Sequence, residues 1–135
     1  MVIDMNNTIS LLNLAKTASL NAHAPYSNFH VGASVLSDSG KLYSGCNVEN
    51  VSYPVGTCAE TGAIAAMVAG GDKKIKEILI YAASKELITP CGACRQRIAE
   101  FADSSTLIHL ANDEGIQKTC SITELLPYSF KDCNP

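Results

Sequence analysis

Three cysteines and one glutamate carry the chemistry that this 135-residue chain can do. Cys58-Ala59-Glu60 and, further along, Pro90-Cys91-Gly92-Ala93-Cys94 supply three thiolates and a carboxylate. A closed structural zinc site takes four protein ligands. Cys58, Cys91 and Cys94 fill three positions of a tetrahedron, and no fourth Cys or His stands at ligand spacing beside them, so water can take the last position. Glu60 lies just past a ligand, near enough to carry protons to and from that water without binding the metal. A CxxC pair alone is weak evidence, since redox dithiols share it; with Pro90 before it and Cys-Ala-Glu upstream, a zinc site becomes the stronger reading. The expectation is one Zn²⁺ per subunit.

Length and composition allow one compact domain over residues 1–135. With 47% hydrophobic residues, a chain of this size buries roughly two thirds of its unfolded surface, enough to fold alone. A formal charge of -3, from 10 basic and 13 acidic residues, offers no basic face for a phosphate backbone, which argues against a nucleic acid polymer as partner. The stretch Met1-Val2-Ile3-Asp4-Met5-Asn6-Asn7 has no basic segment before an apolar run. No stretch reaches the roughly 18 uncharged apolar residues of a membrane span. The expected setting is therefore cytoplasmic, with no membrane partner. Six cysteines in such a setting point to metal before disulfides. Cys46, Cys120 and Cys133 are left over and read as small buried or tail thiols without a role.

The elements that must position these groups follow from periodicity and turn chemistry. Thr8 to Asn21 reads as a helix capped by Asn7 or Thr8, with Ile9, Leu12, Ala15 and Leu20 near helical spacing. Phe29 to Ser37 and Lys41 to Val48 read as a hairpin around Asp38-Ser39-Gly40, delivering Asn47 and Glu49 to a loop. From Cys58 an almost wholly apolar, hence buried, helix runs through Ala63, Ile64, Ala65, Ala66, Met67 and Val68 until Gly70-Gly71 ends it in a positive-φ cap. Ile75 to Ser84 is a strand, Cys91 to Ala102 a helix and Thr106 to Asn112 another strand, an alternation typical of parallel crossovers. Asp113-Glu114-Gly115 turns into a short strand, Gln117 to Ser121, and Ser121 caps a last helical turn before Pro127. The expected fold is a three-layer α/β/α domain around a mixed five-stranded sheet. Cys58 and the Cys91/Cys94 pair each open a helix, so two helix N-termini would face one metal and favour thiolates over thiols.

With these motifs in order, the chain resembles the small zinc-dependent cytidine deaminases of pyrimidine salvage, of the three-cysteine homotetrameric type. The likeness runs through Ala24-Pro25-Tyr26-Ser27-Asn28-Phe29, Val31-Gly32-Ala33, Asn47-Val48-Glu49-Asn50, the two cysteine blocks with Arg95-Gln96, and Glu124-Leu125-Leu126-Pro127. It implies hydrolytic deamination of cytidine, and of 2'-deoxycytidine, to uridine or deoxyuridine and ammonia. In that reaction a zinc-activated water attacks C4 and Glu60 shuttles protons to N3 and to the leaving amine. The resemblance makes Asn47 and Glu49 the ribose contacts, Phe29 the residue packed on the pyrimidine, and Ala59 a backbone N–H donor to the base carbonyl. It makes Phe130 an aromatic reaching into a neighbouring subunit's site, with Tyr53-Pro54 in the same intersubunit wall of a homotetramer. By residue type alone, Asn47 and Glu49 are turn residues, Phe29 is core, and Phe130 is a tail residue covering its own sheet edge.

One position departs from the family pattern. Three thiolates on Zn²⁺ leave a net charge of -1, and three-cysteine members commonly carry Arg directly after the catalytic Glu, where this chain has Thr61. The helix N-termini, a Thr61 hydroxyl bond and Arg95 are the candidates to share that task. Arg95 can equally fold back onto neighbouring backbone as a structural residue. His23, His30 and His109 fall outside every block and read as surface or core residues, not ligands. Two alternatives stay open: deamination of a related aminopyrimidine such as a cytosine-containing antibiotic, and a non-catalytic zinc module closed by a fourth ligand such as Cys120.

Overall fold

The computed structural model describes residues 4–133. Met1, Val2 and Ile3, part of the stretch read for an export signal, lie outside the described residues, as do Asn134 and Pro135. Helix α1 (Met5–Leu20) precedes a hairpin of β1 (Val31–Ser37) and β2 (Leu42–Cys46). A short 3-10 turn at Tyr53–Val55 leads to α2 (Ala59–Ala69), β3 (Ile75–Ala82), α3 (Gly92–Phe101), β4 (Leu107–Asn112), β5 (Gly115–Cys120) and α4 (Ile122–Leu125). The five strands form one sheet in the order β2-β1-β3-β4-β5, with β3 and β4 parallel and every other pair antiparallel. The sheet is mixed, as expected, but only the β3-α3-β4 unit is a crossover between adjacent parallel strands.

The central strand β3 shows why there are three layers. Ile78 and Ile80 pack with Ala63, Met67 and Ile98 on the face covered by α2 and α3. Leu79 and Tyr81, alternating with them, pack with Leu11 and Ala15 of α1 on the opposite face. A strand buried on both sides reads as a continuous apolar run, which Ile-Leu-Ile-Tyr is. Among the described residues no helix is long and apolar enough to cross a membrane.

Several boundaries differ from the sequence reading, each for a local reason. Helix α1 starts a turn early because Asp4, not Asn7 or Thr8, caps it: Asp4 Oδ1 accepts from the Asn6 N–H at 2.9 Å, while the Thr8 hydroxyl donates to the Met5 carbonyl. Its buried stripe is Thr8, Leu11, Ala15 and Ser19, leaving Ile9 54% and Leu20 83% exposed. Small and polar residues win that face because the sheet approaches closely, with the Ser34 hydroxyl donating to the Leu11 carbonyl at 2.7 Å. Helix α2 buries Ala63, Ile64 and Met67 but leaves Ala65, Val68 and Ala69 exposed, so it is not covered on every side. It ends as expected, with Gly71 at φ 98, a conformation that favours glycine. Ser121 caps α4 in a reciprocal capping box with Glu124.

Topology brings the chemistry to one end of the sheet. Val31 at the start of β1 pairs with Ala82 at the end of β3, and Gly32 pairs with Cys46 at the end of β2. The starts of α2 and α3 rise from the same rim, the carboxyl end of β3, where open α/β sheets form their crevices.

Candidate active site

Cys58 is the N-cap of α2 and Cys91 the N-cap of α3, and neither side chain accepts a capping hydrogen bond. Both sulfurs are therefore free to face the space between the two helix starts. Cys94, one turn into α3, is fully buried and completes a group whose sulfurs all lie within 4.8 Å of one another. The Cys58 and Cys91 sulfurs are 3.9 Å apart. Tetrahedral zinc with Zn–S bonds of about 2.3 Å requires sulfurs about 3.8 Å apart. The donor set and its spacing thus fit zinc, and these three are the cysteine, histidine and acidic group able to hold a metal among the described residues. Cys120 packs in the core at the end of β5 and is not part of the group, so it supplies no fourth ligand.

The helix-start effect on thiol acidity is confined to Cys91. Burial pushes its thiol up, but the nearby Cys94 N–H and the thiols of Cys94 and Cys58 outweigh it, and the net shift is downward. Burial raises Cys58 despite a hydrogen bond with Cys94. Cys94 is raised most, by burial and then by the Glu60 charge. Thiolate formation at these two must therefore come with the metal itself.

Glu60 sits in the first turn of α2 at 4% exposure. Burial raises its carboxyl above the ordinary value, opposed by its own backbone N–H, by the Cys94 thiol and by the charge of Arg97. A carboxyl whose burial favours the protonated form while nearby donors favour the ionised one is suited to taking up and giving back a proton.

Glu60, Ala59, Cys58 and Cys91 line a cleft of about 340 Å³ together with Phe29, Asn47 and Glu49. Seven residues singled out in the sequence therefore converge. Ala59 is the first residue of α2, where a backbone N–H has no partner within the helix. Asn47 follows β2 and bridges to the strand beside it: its Oδ1 accepts from the Val31 N–H at 2.9 Å and its Nδ2 donates to the Phe29 carbonyl at 2.8 Å. Glu49 Oε1 accepts from the N–H groups of Tyr26 and Ser27, each at 3.1 Å, and Oε2 accepts from the Ser27 hydroxyl. These bonds hold the carboxyl below its usual range, the Ser27 hydroxyl contributing most. Both side chains thus shape the 26–31 segment, in which Asn28 adopts a positive φ of 56. Each keeps spare capacity: one amide hydrogen on Asn47 and an acceptor lone pair on Glu49 Oε2.

Other residues do not converge. Phe130 is not in the cleft of its own chain; it is 82% exposed, its backbone N–H and carbonyl clamped at 3.0 Å by the Gln96 side chain. Such exposure also rules out its covering the sheet edge. Tyr53, 73% exposed, packs its ring 5.6 Å from that of Tyr26 beside the cleft mouth. Arg95 turns away from the sulfurs, donating to the carbonyls of Pro90 and Leu125 at 2.8 and 2.7 Å and to the Thr89 hydroxyl at 3.1 Å. Its structural reading holds. The Thr61 hydroxyl makes no bond to a sulfur: its Oγ1 is buried without a hydrogen-bond partner among the described residues. His109 is a core residue on the α1 side of the sheet, 2.8 Å from both Glu77 and Thr119.

The sequence reading missed Ile80, Ile88 and Thr89, which line the same cleft. It also missed Arg97, whose Nη1 donates to Cys94 Sγ at 3.7 Å. Its position one helical turn after a ligand was the signal available.

Comparison with known proteins agrees with this geometry. The family model for the cytidine and deoxycytidylate deaminase zinc-binding region matches residues 5–110. A cytidine deaminase of Sporosarcina psychrophila is 39% identical over 120 residues, 89% of this chain and 88% of that protein. One of Halalkalibacterium halodurans is 38% identical, covering 89% and 91%. Among solved structures, cytidine deaminase from Burkholderia pseudomallei superposes with a TM-score of 0.86 at 37% identity, covering 95% of this chain and 100% of that one. The Mycobacterium tuberculosis enzyme gives 0.79 at 34% identity, covering 96% and 99%. Likeness over nearly the full length, on a fold whose sheet end gathers three cysteines and a buried glutamate, has one consequence: this chain belongs to the cytidine and deoxycytidylate deaminase family.

Proposed function

We propose that the chain, acting as one catalytic domain, hydrolyses cytidine and 2'-deoxycytidine to uridine or deoxyuridine and ammonia, as a step of pyrimidine salvage. The observation that carries this reading is a buried Glu60 sharing one cleft with Cys58 and Cys91, whose sulfurs gather with that of Cys94 within 4.8 Å. Zn²⁺ held by Cys58, Cys91 and Cys94, one per subunit, would supply Lewis-acid activation of the attacking water. Glu60 accepts that water's proton and returns protons to ring N3 and to the departing amine. Phe29 offers its ring to the pyrimidine face, and the Ala59 N–H reaches the base carbonyl. The spare Asn47 amide hydrogen and the Glu49 Oε2 lone pair form a donor and acceptor pair suited to ribose hydroxyls.

The reading extends to a homotetramer with shared sites. A cleft of about 340 Å³ lies at the small end of the roughly 300–1,000 Å³ range of ligand pockets, so walls from another subunit would help to enclose a nucleoside. The exposed side chains of Phe130, Tyr53, Val51 and Val55, with the uncovered face of α2, support such an assembly. Ligand thiols must stay reduced, which suits the cytoplasm. The test follows the fall in cytidine ultraviolet absorbance with and without a zinc chelator. Turnover that chelation abolishes and added zinc restores is expected; turnover indifferent to chelation would refute the reading.

A further inference from the structure

A dication bound by three thiolates forms a centre of net charge -1, and where one of the sulfurs is buried, as that of Cys94 is, a nearby positive charge offsets the cost. Two cations stand on the first turns of α3, and their geometry separates them. All three bonds of Arg95 go to Pro90, Leu125 and Thr89. Arg97 stands one helical turn after Cys94, on the face that Cys94 presents, and its Nη1 is 3.7 Å from the sulfur. Among the described residues, no other basic side chain bonds to a sulfur of the group. Position 61 bears the same relation to Cys58 on α2 that position 97 bears to Cys94 on α3, and there the side chain is an uncharged Thr whose hydroxyl is unpartnered. The helix that holds the buried sulfur is thus the one that supplies the cation.

Resting on the zinc-enzyme reading above, we infer that Arg97 is a positioning residue that offsets the charge of the loaded three-thiolate centre through Cys94, and so governs how tightly the chain holds zinc. It touches no substrate and acts through the ligand. An N–H donor on a thiolate also fixes the direction of the sulfur lone pairs, as partners behind metal ligands do generally. Because the Arg97 residue is itself exposed, replacing it removes charge without opening a cavity.

The experiment is a zinc titration of the apo chain against a chromogenic chelator for the wild type, Arg97→Gln and Arg97→Lys, with far-ultraviolet circular dichroism on each. The Gln variant should bind zinc about 10-fold more weakly with an unchanged spectrum, and the Lys variant should recover most of that loss because it restores the charge. Gln binding as tightly as wild type would overturn the inference. So would a Lys variant as weak as Gln, since the loss would then not be one of charge. A wild-type chain that binds no zinc at all would overturn both this inference and the function it rests on, so the two failures are distinguishable.

Discussion

Burial and charge act on Glu60 in opposite directions, and its chemistry depends on their balance. Burial raises its carboxyl, while its own N–H, the Cys94 thiol and Arg97 pull it down. The net shift is upward, and a general base works only when ionised. In the zinc-free chain the Glu60 carboxyl should therefore titrate above the ordinary glutamate value of about 4.3, which NMR of that carboxyl can follow. Linkage gives the sign for stability in the zinc-free chain. Between the unfolded and the raised folded pKa the folded state binds more protons, so stability falls as pH rises across that window. Glu60→Gln should accordingly lose about 10² to 10⁴ in kcat while still binding zinc, and its apo form should melt higher than wild type at neutral pH. A Gln variant that keeps wild-type turnover would remove Glu60 from the reaction. At this scale the sequence was most informative for the Cys91 and Cys94 pair and for Glu60 beside Cys58, because spacing within one turn is set by the helix itself. It was least informative for arginine: Arg95 and Arg97 differ by two positions, and which one meets a sulfur depends on where α4 and the 83–90 loop place carbonyl acceptors.

Two contacts between elements determine whether those residues stay in register. The first is the approach of β2 to α2 at Gly45. A Cβ there would stand 2.3 Å from the Ala63 nitrogen, 2.6 Å from the Gly62 carbonyl carbon and 2.7 Å from the Ala59 oxygen, all backbone atoms of α2. Gly45→Ala must push away the helix that carries Glu60 and follows Cys58. A loss of about 1–3 kcal/mol in urea unfolding is expected, with weaker zinc binding; unchanged values of both would mean that α2 is not held by this contact. The second is Arg95, which ties α3 to Pro90, Thr89 and the Leu125 carbonyl in α4. Arg95→Met should cost about 2 kcal/mol of stability but weaken zinc less than Arg97→Gln does. The reverse order of zinc affinities would exchange the roles assigned to the two arginines. The buried side of α1 belongs to this scale too. Ile9 and Leu20 look like core by hydrophobicity, yet Thr8, Leu11, Ala15 and Ser19 face the sheet, since close backbone approach selects for size over hydrophobicity.

For the molecule as a whole, the open cleft and the exposed tail pose one question. Phe130 is held by Gln96 along α3 with its side chain largely exposed, and the proposed assembly would cover it. Light scattering in solution should give four times the chain mass. Under the proposed shared site, Phe130→Ala should raise KM for cytidine several-fold with a smaller effect on kcat, since the ring would enclose substrate without taking part in proton transfer. A monomeric protein with wild-type KM in the variant would refute the shared site.

What the sequence determined by itself is local: the zinc ligand spacing, the glutamate beside it, the strand and helix alternation, and the caps at Gly71 and Ser121. These depend on neighbours within a turn or two of chain, where periodicity and side-chain chemistry suffice. The tertiary structure decided which distant groups share a space. Pairing Val31 with Ala82 and Gly32 with Cys46 sets Asn47, Phe29, Cys58 and Cys91 around one rim. It also turned Asn47 and Glu49 into braces for the 26–31 segment as well as candidate ribose contacts, and drew Arg95 to the carbonyls of Pro90 and Leu125. Such choices follow from sheet register and from the competition among acceptors in three dimensions, which no spacing along the chain records.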